Sequence, residues 1–195
     1  VGAADKQTAE AIAPVGSFAY FSESYIAFGD GKICAKALDD RIGCMLMIEL
    51  LQSELEADTW FCFQVQEEVG LRGAACTGSR VQPDRVLVLE ATTAADLDGV
   101  TGDSRGGVLG DGAVVCCMDG TTINDRALYR MARETADENG IPSQTKTAIA
   151  GGNDAGALQR AGQGSAALAV SLPCRYIHSG ASVVQQSDID ATRAL

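Results

Sequence analysis

Acidic side chains and a single histidine follow apolar segments that are typical of β-strands, or stand directly before an apolar helix. The segments predicted as strands on this basis are 59–65, 85–89 and 166–172. The residues that adjoin these strands and the helix are Asp39, Asp40, Glu67, Glu68, Glu90 and His178. Carboxylates and imidazoles bind metal ions and accept protons, so these residue types are compatible with hydrolytic chemistry.

The predicted sheet brings these side chains to one edge. In open α/β sheets, ligands collect at the carboxyl ends of the strands. Several carboxylates brought together there would repel one another unless a positive charge stood between them. Carboxylates combined with one imidazole suit a divalent cation such as Zn²⁺, Mn²⁺ or Co²⁺. The sequence therefore predicts a divalent metal site.

Each of these residues also has an explanation that involves no metal. The Asp39–Asp40 pair could cap a helix and interact with its dipole. The Glu67–Glu68 pair could be solvated surface, and Glu90 could be the first residue of a loop. A lone histidine such as His178 is more often a structural residue than a ligand. Taken singly, the signals leave these explanations open, and only their joint placement favours a site.

A glycine-rich segment at 151–156 adds a further candidate. It lacks the Lys-Ser/Thr of a phosphate-binding Walker loop and the G-x-G-x-x-G spacing of a dinucleotide site, which argues against nucleotide binding. We interpret it as a turn that brings backbone N–H groups close to the predicted site. The residues expected to bind substrate are Gly151, Gly152 and Asp154.

The elements that must position these residues alternate between strands and helices. Further extended segments are predicted at 17–28, 32–35, 113–118 and 143–149, and helices at 40–56, 124–139 and from 187 onward. Residues 151–162 are predicted to be a glycine turn that leads into a short helix. The helix at 40–56 is apolar around most of its circumference and is expected to be largely buried. Asn124 and a Ser187–Asp190 capping box are expected to begin two of the helices. This pattern predicts an α/β fold with an open, largely parallel twisted sheet and helices on both faces.

Composition excludes several classes of partner. The formal net charge is -11 and the isoelectric point is near 4.4, which disfavours nucleic acid and anionic lipid. No apolar run reaches the roughly 18–20 residues of a membrane helix. Seven cysteines without a C-x-x-C motif indicate buried free thiols in a reducing compartment. We expect a soluble cytoplasmic protein.

Five sequence words, in order and at matching spacing, resemble one known family. They are Lys36-Ala-Leu-Asp-Asp-Arg-Ile-Gly43, Gln66-Glu-Glu-Val-Gly-Leu-Arg-Gly73, Leu89-Glu-Ala-Thr-Thr-Ala-Ala-Asp96, Gly151-Gly-Asn-Asp-Ala-Gly-Ala157 and Arg175-Tyr-Ile-His178. The chain is similar, from about residue 17 to its end, to the TET-type or glutamyl aminopeptidases of metallopeptidase family 42. Those proteins are exopeptidases with two co-catalytic metal ions.

The resemblance implies a role for each matching residue. It implies that Asp39 bridges two ions, usually Zn²⁺ or Co²⁺, and is joined to Asp40 by a cis peptide bond. It makes Glu67 the general base that acts on a bridging, metal-activated water. The implied metal ligands are Asp39, Glu68, Glu90 and His178. The implied fold is the catalytic domain of di-zinc aminopeptidases, and the implied substrates are peptides with a free N-terminus.

The chain also departs from the family pattern. The family's first His-x-Asp motif and its inserted β-rich dimerisation domain have no counterpart here. We therefore expect residues 1–16 to be a segment returning from the absent domain, and 17–195 to be the C-terminal portion of the catalytic domain. We expect this chain to bind one metal ion or none and to be inactive or weakly active. A homo-oligomer is expected for the full-length protein only.

Two other functions remain open at this stage. One is a non-catalytic homologue or assembly subunit, which the missing histidine motif favours. The other is a cellulase-like glycoside hydrolase with paired carboxylates. Carbohydrate sites usually present several aromatic platforms, whereas this chain has one Trp and 5% aromatic residues. Glycosidases also need two opposed carboxyl groups rather than a cluster with histidine.

Overall fold

The computed structural model describes residues 1–22 and 25–195. Its strands are β1 (Tyr25–Phe28), β2 (Lys32–Ala35), β3 (Arg85–Thr93), β4 (Ala113–Val115), β5 (Ser143–Thr145), β6 (Ala166–Cys174) and β7 (Ser182–Gln185). Its helices are α1 (Lys6–Ile12), α2 (Leu38–Leu51), α3 (Arg72–Val81), α4 (Arg126–Asn139), α5 (Asp154–Leu158) and α6 (Gln186–Ala194), with a short 3-10 turn at Gly102–Arg105.

The larger sheet has four strands in the order β3-β6-β4-β5. β3 and β6 run parallel over their whole length, from Arg85 opposite Ala166 to Thr93 opposite Cys174. β4 and β5 are also parallel, whereas β4 pairs with β6 in the antiparallel direction. The predicted α/β fold with a largely parallel sheet is confirmed, with one antiparallel junction that the sequence did not indicate.

Helices cover both faces of this sheet. Successive side chains of a strand point to opposite faces, so a strand that is apolar throughout has side chains to bury on both. On one face of β6, Leu168 and Val170 pack against α4 residues, and Leu172 packs against α2 and α6. On the other face, Ala167 and Ala169 contact Ala155 of α5. Leu168, Val170 and Leu172 are buried, which explains why the strand sequence is a continuous apolar run.

A second sheet, of three antiparallel strands in the order β1-β2-β7, lies beside the first. The extended segments predicted at 17–28 and 32–35 supply β1 and β2. Within the first of them, residues 17–22 form no strand, and residues 23–24 lie outside the described residues. The pairing of β2 with β7, which are about 150 residues apart in the chain, was not visible in the sequence pattern.

The strand predicted at 59–65 is wrong. These residues form no strand in the part of the chain that the structure describes. The segment has exposed apolar side chains, including Trp60 at 75% and Val65 at 66%. A strand requires a hydrogen-bonded partner, and this segment pairs with none of the strands defined above. Apolar character alone therefore does not make this segment a strand.

The prediction that the helix at 40–56 is largely buried is also wrong. The helix forms as α2, and its Leu38, Ile42 and Leu46 side chains enter the core beside β3 and β6. Other apolar side chains of this helix remain substantially exposed; they are Met45, Ile48, Leu50 and Leu51. Only one face of α2 packs on the sheet, and no described element covers the opposite face.

Several helix starts differ from the sequence prediction. Residues 1–16, expected to be a connecting segment, contain α1, whose first turn is capped by Asp5 through the backbone N–H of Thr8. Asp125, not Asn124, caps α4, because the Asn124 side chain accepts a hydrogen bond from the Ala169 backbone instead. The Ser187–Asp190 capping box does not form, and α6 begins without a side-chain cap.

All seven cysteines are free, and Cys116 and Cys174 are buried, but Cys76 and Cys117 are exposed, contrary to the expectation that the thiols are buried. Among the described residues, no helix is long and apolar enough to cross a membrane.

Candidate metal and catalytic site

Three of the four predicted ligands come together in one cluster. The His178 Nε2 atom lies 3.3 Å from Asp39 Oδ2 and 3.3 Å from Glu68 Oε2. One donor atom from each residue lies within 4.8 Å of the other two. Successive members of the cluster are 29 and 110 positions apart in the chain, so the fold rather than local sequence brings them together.

The start of α2 positions Asp39. Ala37, immediately before the helix, adopts a left-handed conformation with φ of 54°, and neither Asp39 nor Asp40 has helical dihedral angles. The peptide bond between the two aspartates is cis, as the family resemblance implied. The Asp40 side chain turns back to accept a hydrogen bond from the Gly43 backbone at 3.0 Å, whereas the Asp39 side chain faces the cluster.

A tight turn before α3 positions the two glutamates. Gln66 and Leu71 at its two ends have positive φ angles of 59° and 56°. The backbone N–H groups of Gly70 and Leu71 both donate to the Glu67 carbonyl oxygen. The turn is held by its own backbone hydrogen bonds, so its backbone does not depend on the Glu67 and Glu68 side chains. These two side chains can therefore make different contacts. Glu68 joins the cluster, while Glu67 lies within the electrostatic influence of Asp39 and Asp154.

His178 lies on the segment that joins β6 to β7. The segment begins and ends with a pair of backbone hydrogen bonds between Arg175 and Val183. Tyr176 and His178 both have positive φ angles, of 54° and 62°, in a region that few residues other than glycine adopt. The imidazole itself is 63% exposed, so packing alone does not hold it.

The electrostatics of the cluster are those of carboxylates without sufficient positive charge. Burial and the Glu68 charge raise the pKa of Asp39 to about 6, with His178 acting in the opposite direction. Burial, followed by the charges of Glu68, Asp154 and Asp39, raises the pKa of Glu67 to about 7. Each of these pKa values would fall if a cation entered the cluster, because a nearby positive charge favours the ionised carboxylate.

Asp40 shares this environment without joining the cluster. Burial, together with the Asp39 and Glu67 charges, raises its pKa to about 8 against the opposing effect of the hydrogen bond from Gly43. Gly43 has no room for a side chain, because a Cβ atom there would overlap the Asp40 carboxylate and lie 2.7 Å from the Leu89 carbonyl oxygen. This close approach places the start of α2 directly against β3.

The donor set fits a divalent metal ion. Zn–N and Zn–O bonds are about 2.0–2.2 Å long, so two ligand atoms on a tetrahedral ion are separated by about 3.3–3.5 Å. The two distances from His178 Nε2 have this value. A charge-assisted hydrogen bond would be shorter, at about 2.7–2.9 Å. One nitrogen and two carboxylate oxygens are ligands that Zn²⁺ and Co²⁺ accept.

Glu90, the fourth predicted ligand, lies apart from the three-residue cluster. Its Oε1 atom accepts hydrogen bonds from Asn153 Nδ2 at 2.8 Å and from Ser171 Oγ at 3.2 Å. Desolvation raises its pKa well above the usual range, and the charge of Lys146 offsets part of that shift. Because both hydrogen bonds go to Oε1, they leave Oε2 uncommitted.

The glycine turn at 151–156 adjoins the loop at 119–122. The Gly120 backbone N–H donates to the Gly151 carbonyl oxygen, and a Cβ atom on Gly152 would overlap Thr121. Asp154 is buried, its Oδ1 atom has no hydrogen-bond partner within the described residues, and desolvation raises its pKa. The Asp154 charge acts on Glu67 and Asp40, so the turn lies near the acidic residues.

Three residues inside the recognised sequence words were not singled out from the sequence. Asn153 caps α5 and donates one amide to both Glu90 and Asp119. Asp96 and Arg175 form a two-pronged ion pair beside the His178 segment. The only signal in the sequence was their position within the words around Glu90, Asp154 and His178, because their partners are distant along the chain.

A protein-family model described as M42 glutamyl aminopeptidase matches residues 1–195. The chain is 32% identical over 183 residues to the "Putative aminopeptidase FrvX" of Escherichia coli (strain K12), covering 93% of this chain and 51% of that protein. The chain thus spans about half the length of the curated relatives it matches.

Solved structures give the same picture. An aminopeptidase from the archaeon Desulfurococcus kamchatkensis superposes with a TM-score of 0.88 at 29% identity, over 99% of this chain and 56% of that one. The TET1 peptidase of Pyrococcus horikoshii has a TM-score of 0.73 at 28% identity, over 89% of this chain and 51% of that one. It is described as able to assemble into a tetrahedron or a large octahedral shell. A Thermotoga maritima structure described as an endoglucanase has a TM-score of 0.67 at 30% identity over 88% and 50%.

Proposed function

The chain belongs to the M42 glutamyl aminopeptidase family, and on that basis we propose that it forms the metal-binding part of a metal-dependent aminopeptidase. The observation that carries the proposal is the meeting of Asp39, Glu68 and His178 with ligand-like spacing. Glu67, whose pKa is raised, is coupled electrostatically to this cluster and supports the assignment of a proton-transferring residue.

The proposed ligands divide between two ions, Zn²⁺ or Co²⁺. Asp39, Glu68 and His178 would hold the first, and Asp39 together with Glu90 would contribute to the second. The uncommitted Oε2 atom of Glu90 supports its inclusion. Bound metal ions of this kind supply Lewis acidity at the scissile carbonyl and lower the pKa of water toward neutrality.

Glu67 is proposed as the general base and then the general acid. Burial and the neighbouring carboxylates raise the pKa of Glu67 to about 7 in the metal-free chain, and a bound cation would lower it from that value. The carboxylate form of Glu67 can accept a proton from the attacking water, and the resulting carboxyl group can deliver that proton to the leaving amine. An ordinary glutamate, with a pKa near 4.3, is a weaker base and accepts the proton less readily near pH 7.

The glycine turn is proposed to contact the substrate. The Asp154 charge acts on Glu67, and Gly151 and Gly152 come shortly before Asp154 in the same turn. A negatively charged site of this kind suits a peptide with a free, positively charged N-terminus. Assembly of the longer protein into a homo-oligomer is a further proposal, supported by the shells described for the Pyrococcus horikoshii relative.

We expect this chain by itself to have little or no peptidase activity. It spans about half of its relatives, and its candidate cluster offers three ligands to one ion rather than complete shells to two. Water, the substrate or another part of a longer chain could complete the coordination of the ions.

Calorimetric titration with Co²⁺ and Zn²⁺ tests the metal site. We expect one ion to bind, and Glu68→Gln and His178→Ala to abolish that binding. Glu49→Gln is the matched control, because Glu49 is an exposed glutamate on α2 that pairs with Arg193 rather than with the cluster. Absence of binding to the wild-type chain, or binding that is unaffected by both variants, contradicts the proposal.

Hydrolysis assays separate the alternative functions. Weak turnover of a peptide with a free N-terminus, absent for the N-acetylated peptide and lost in Glu67→Gln, supports an aminopeptidase. Metal binding without turnover supports an incomplete site or a non-catalytic homologue. Cleavage of a soluble cellulose derivative supports the glycoside hydrolase instead. Robust peptide hydrolysis by this chain alone refutes the expectation that it is incomplete.

A further inference from the structure

The segment that carries His178 has an unfavourable backbone conformation and an exposed imidazole. Two of its residues, Tyr176 and His178, lie in the left-handed region, which is sterically disfavoured for residues other than glycine. The imidazole is mostly exposed. Something other than local preference must therefore hold the segment in place.

One ion pair joins the start of this segment to a different part of the sheet. Arg175 Nε lies 2.7 Å from Asp96 Oδ1, and Arg175 Nη2 lies 2.8 Å from Asp96 Oδ2. The Asp96 side chain is only 6% exposed and that of Arg175 is 26% exposed, so solvent screens the pair far less than a surface pair. The hydrogen bonds from Arg175 lower the pKa of Asp96, which keeps the carboxyl ionised at neutral pH.

Asp96 is itself fixed from two sides. Asp96 comes three residues after the end of β3. Just before it, the Ala94 backbone N–H donates a hydrogen bond to the Cys174 carbonyl oxygen, which ties this part of the chain to the end of β6. Its Oδ2 atom also accepts a hydrogen bond from the Leu109 backbone at 3.0 Å. The carboxyl group is therefore a rigid anchor, and a planar guanidinium held by two parallel hydrogen bonds can take only one orientation relative to it.

We propose that the Asp96–Arg175 ion pair is a positioning device that holds the His178 imidazole within reach of Asp39 and Glu68. The inference rests on the proposed function, since its consequence is the affinity of the metal cluster. Arg175 is three residues from His178, and its backbone forms the base of the same segment. Ile177, which packs against the core, provides a second attachment, so loss of the ion pair should loosen the segment without unfolding it.

The test uses the fact that His178 is the only histidine in the chain. With ¹³C-labelled histidine, the imidazole Cε1–H resonance of the metal-free protein reports on this side chain alone. We expect Asp96→Asn and Arg175→Gln to move this resonance toward the position of free histidine and to broaden it. Arg175→Lys keeps the charge but loses the two-pronged geometry, and we expect an intermediate effect.

Co²⁺ titrations of the same variants provide the second readout. Loss of groups that orient a metal-binding histidine typically lowers metal affinity by about 10–100-fold, and we expect that range for Asp96→Asn. Glu49→Gln is the control, because it removes an Arg–carboxylate pair of similar geometry between α2 and α6, at Arg193. It should leave both the resonance and the Co²⁺ affinity unchanged.

The outcomes separate this inference from the proposed function. A wild-type resonance and wild-type Co²⁺ affinity in all three variants overturns the positioning role and leaves the metal site intact. Failure of the wild-type chain to bind Co²⁺ refutes the proposed function, and the imidazole resonance then still decides whether the ion pair positions His178. Urea midpoints measured alongside identify any variant whose global stability has changed, and Arg175→Lys serves if Asp96→Asn does not fold.

Discussion

Asp188 offers a test of how the fold is held together at a distance from the candidate site. It lies on α6, is fully buried, and accepts two backbone hydrogen bonds from a loop 76 residues or more earlier in the chain. Gly110 donates to Oδ2 and Gly112 donates to Oδ1, each at 2.8 Å. Replacement of Asp188 by asparagine keeps the shape of the side chain but leaves only one oxygen to accept two N–H groups.

The expected cost follows from these two hydrogen bonds. A hydrogen bond to a charged group contributes about 1.5–3 kcal/mol, and a buried N–H that loses its acceptor costs about 1–3 kcal/mol. One of the two bonds can survive in Asp188→Asn. Burial of the charged carboxylate is unfavourable, as the raised pKa of Asp188 shows. The neutral asparagine avoids this cost, which offsets part of the stability lost with the hydrogen bond. We expect the free energy of unfolding to fall by about 2–3 kcal/mol.

Urea denaturation followed by circular dichroism measures this change. With a slope of about 2 kcal/mol/M, the midpoint should fall by about 1–1.5 M. Asp190→Asn is the matched control, because it makes the same substitution two residues later on α6, where the side chain is 55% exposed and pairs with Arg193 at the surface. That variant should stay within about 0.5 kcal/mol of the wild type.

A result in which Asp188→Asn and Asp190→Asn have the same midpoint would refute the reasoning. It would mean that the loop at 108–112 is held by other contacts, such as the Gln144 side chain, which bonds the backbone of Val108 and Gly112. A midpoint shift together with a changed slope would instead indicate altered compactness of the unfolded or folded state.

Three further predictions address the core, the site and the pH dependence. Leu172→Ala, at a fully buried position near the end of β6, should lower the free energy of unfolding by about 2–5 kcal/mol, and an unchanged urea midpoint would contradict the packing around β6. Gly43→Ala should lower the free energy of unfolding by about 1–3 kcal/mol and weaken Co²⁺ binding, since its Cβ atom would displace the Asp40 carboxylate or the Leu89 carbonyl. Wild-type Co²⁺ affinity in calorimetry would show that packing at Gly43 does not affect the metal cluster. The folded-state pKa of Asp96 is lowered, so the contribution of this carboxylate to stability is present above about pH 4 and is lost as the pH falls through the folded-state pKa. In urea titrations, the stability difference between wild type and Asp96→Asn should therefore shrink from pH 6 to pH 3. A difference that stays constant over this range would contradict the prediction.

Local pattern was sufficient for most elements but not for their environments. The helices around 40–56 and 124–139 and the strand at 166–172 form close to their predicted positions, because periodicity and terminating residues act within a short stretch of chain. The segment 59–65 has the same apolar character yet forms no strand, because strand formation depends on a partner elsewhere in the chain. The exposure of Ile48 and Leu51 on α2 has the same origin, since hydrophobicity does not specify what will cover it.

Side-chain capping shows the same distinction at the level of single residues. Asn124 and Asp125 are both good helix caps, and the sequence offered no way to choose between them. The choice depends on Ala169 of β6, whose backbone N–H donates a hydrogen bond to the Asn124 side-chain oxygen. Asp125 therefore caps α4. Asp188 is a parallel case, because its place in a potential capping motif gave no sign that it anchors the loop at 110–112.

Residue type and order alone indicated the family: Asp39, Glu67, Glu68 and His178, with the words around them, were sufficient to predict membership of the glutamyl aminopeptidase family that the whole chain matches. The arrangement of these residues depends on the fold. The 3.3 Å separations at His178, the raised pKa of Glu67 and the Asp96–Arg175 pair all depend on segments tens of residues apart being brought together. Residue type and local periodicity are properties of the chain, whereas distance, burial and the sum of surrounding charges exist only once the chain has folded.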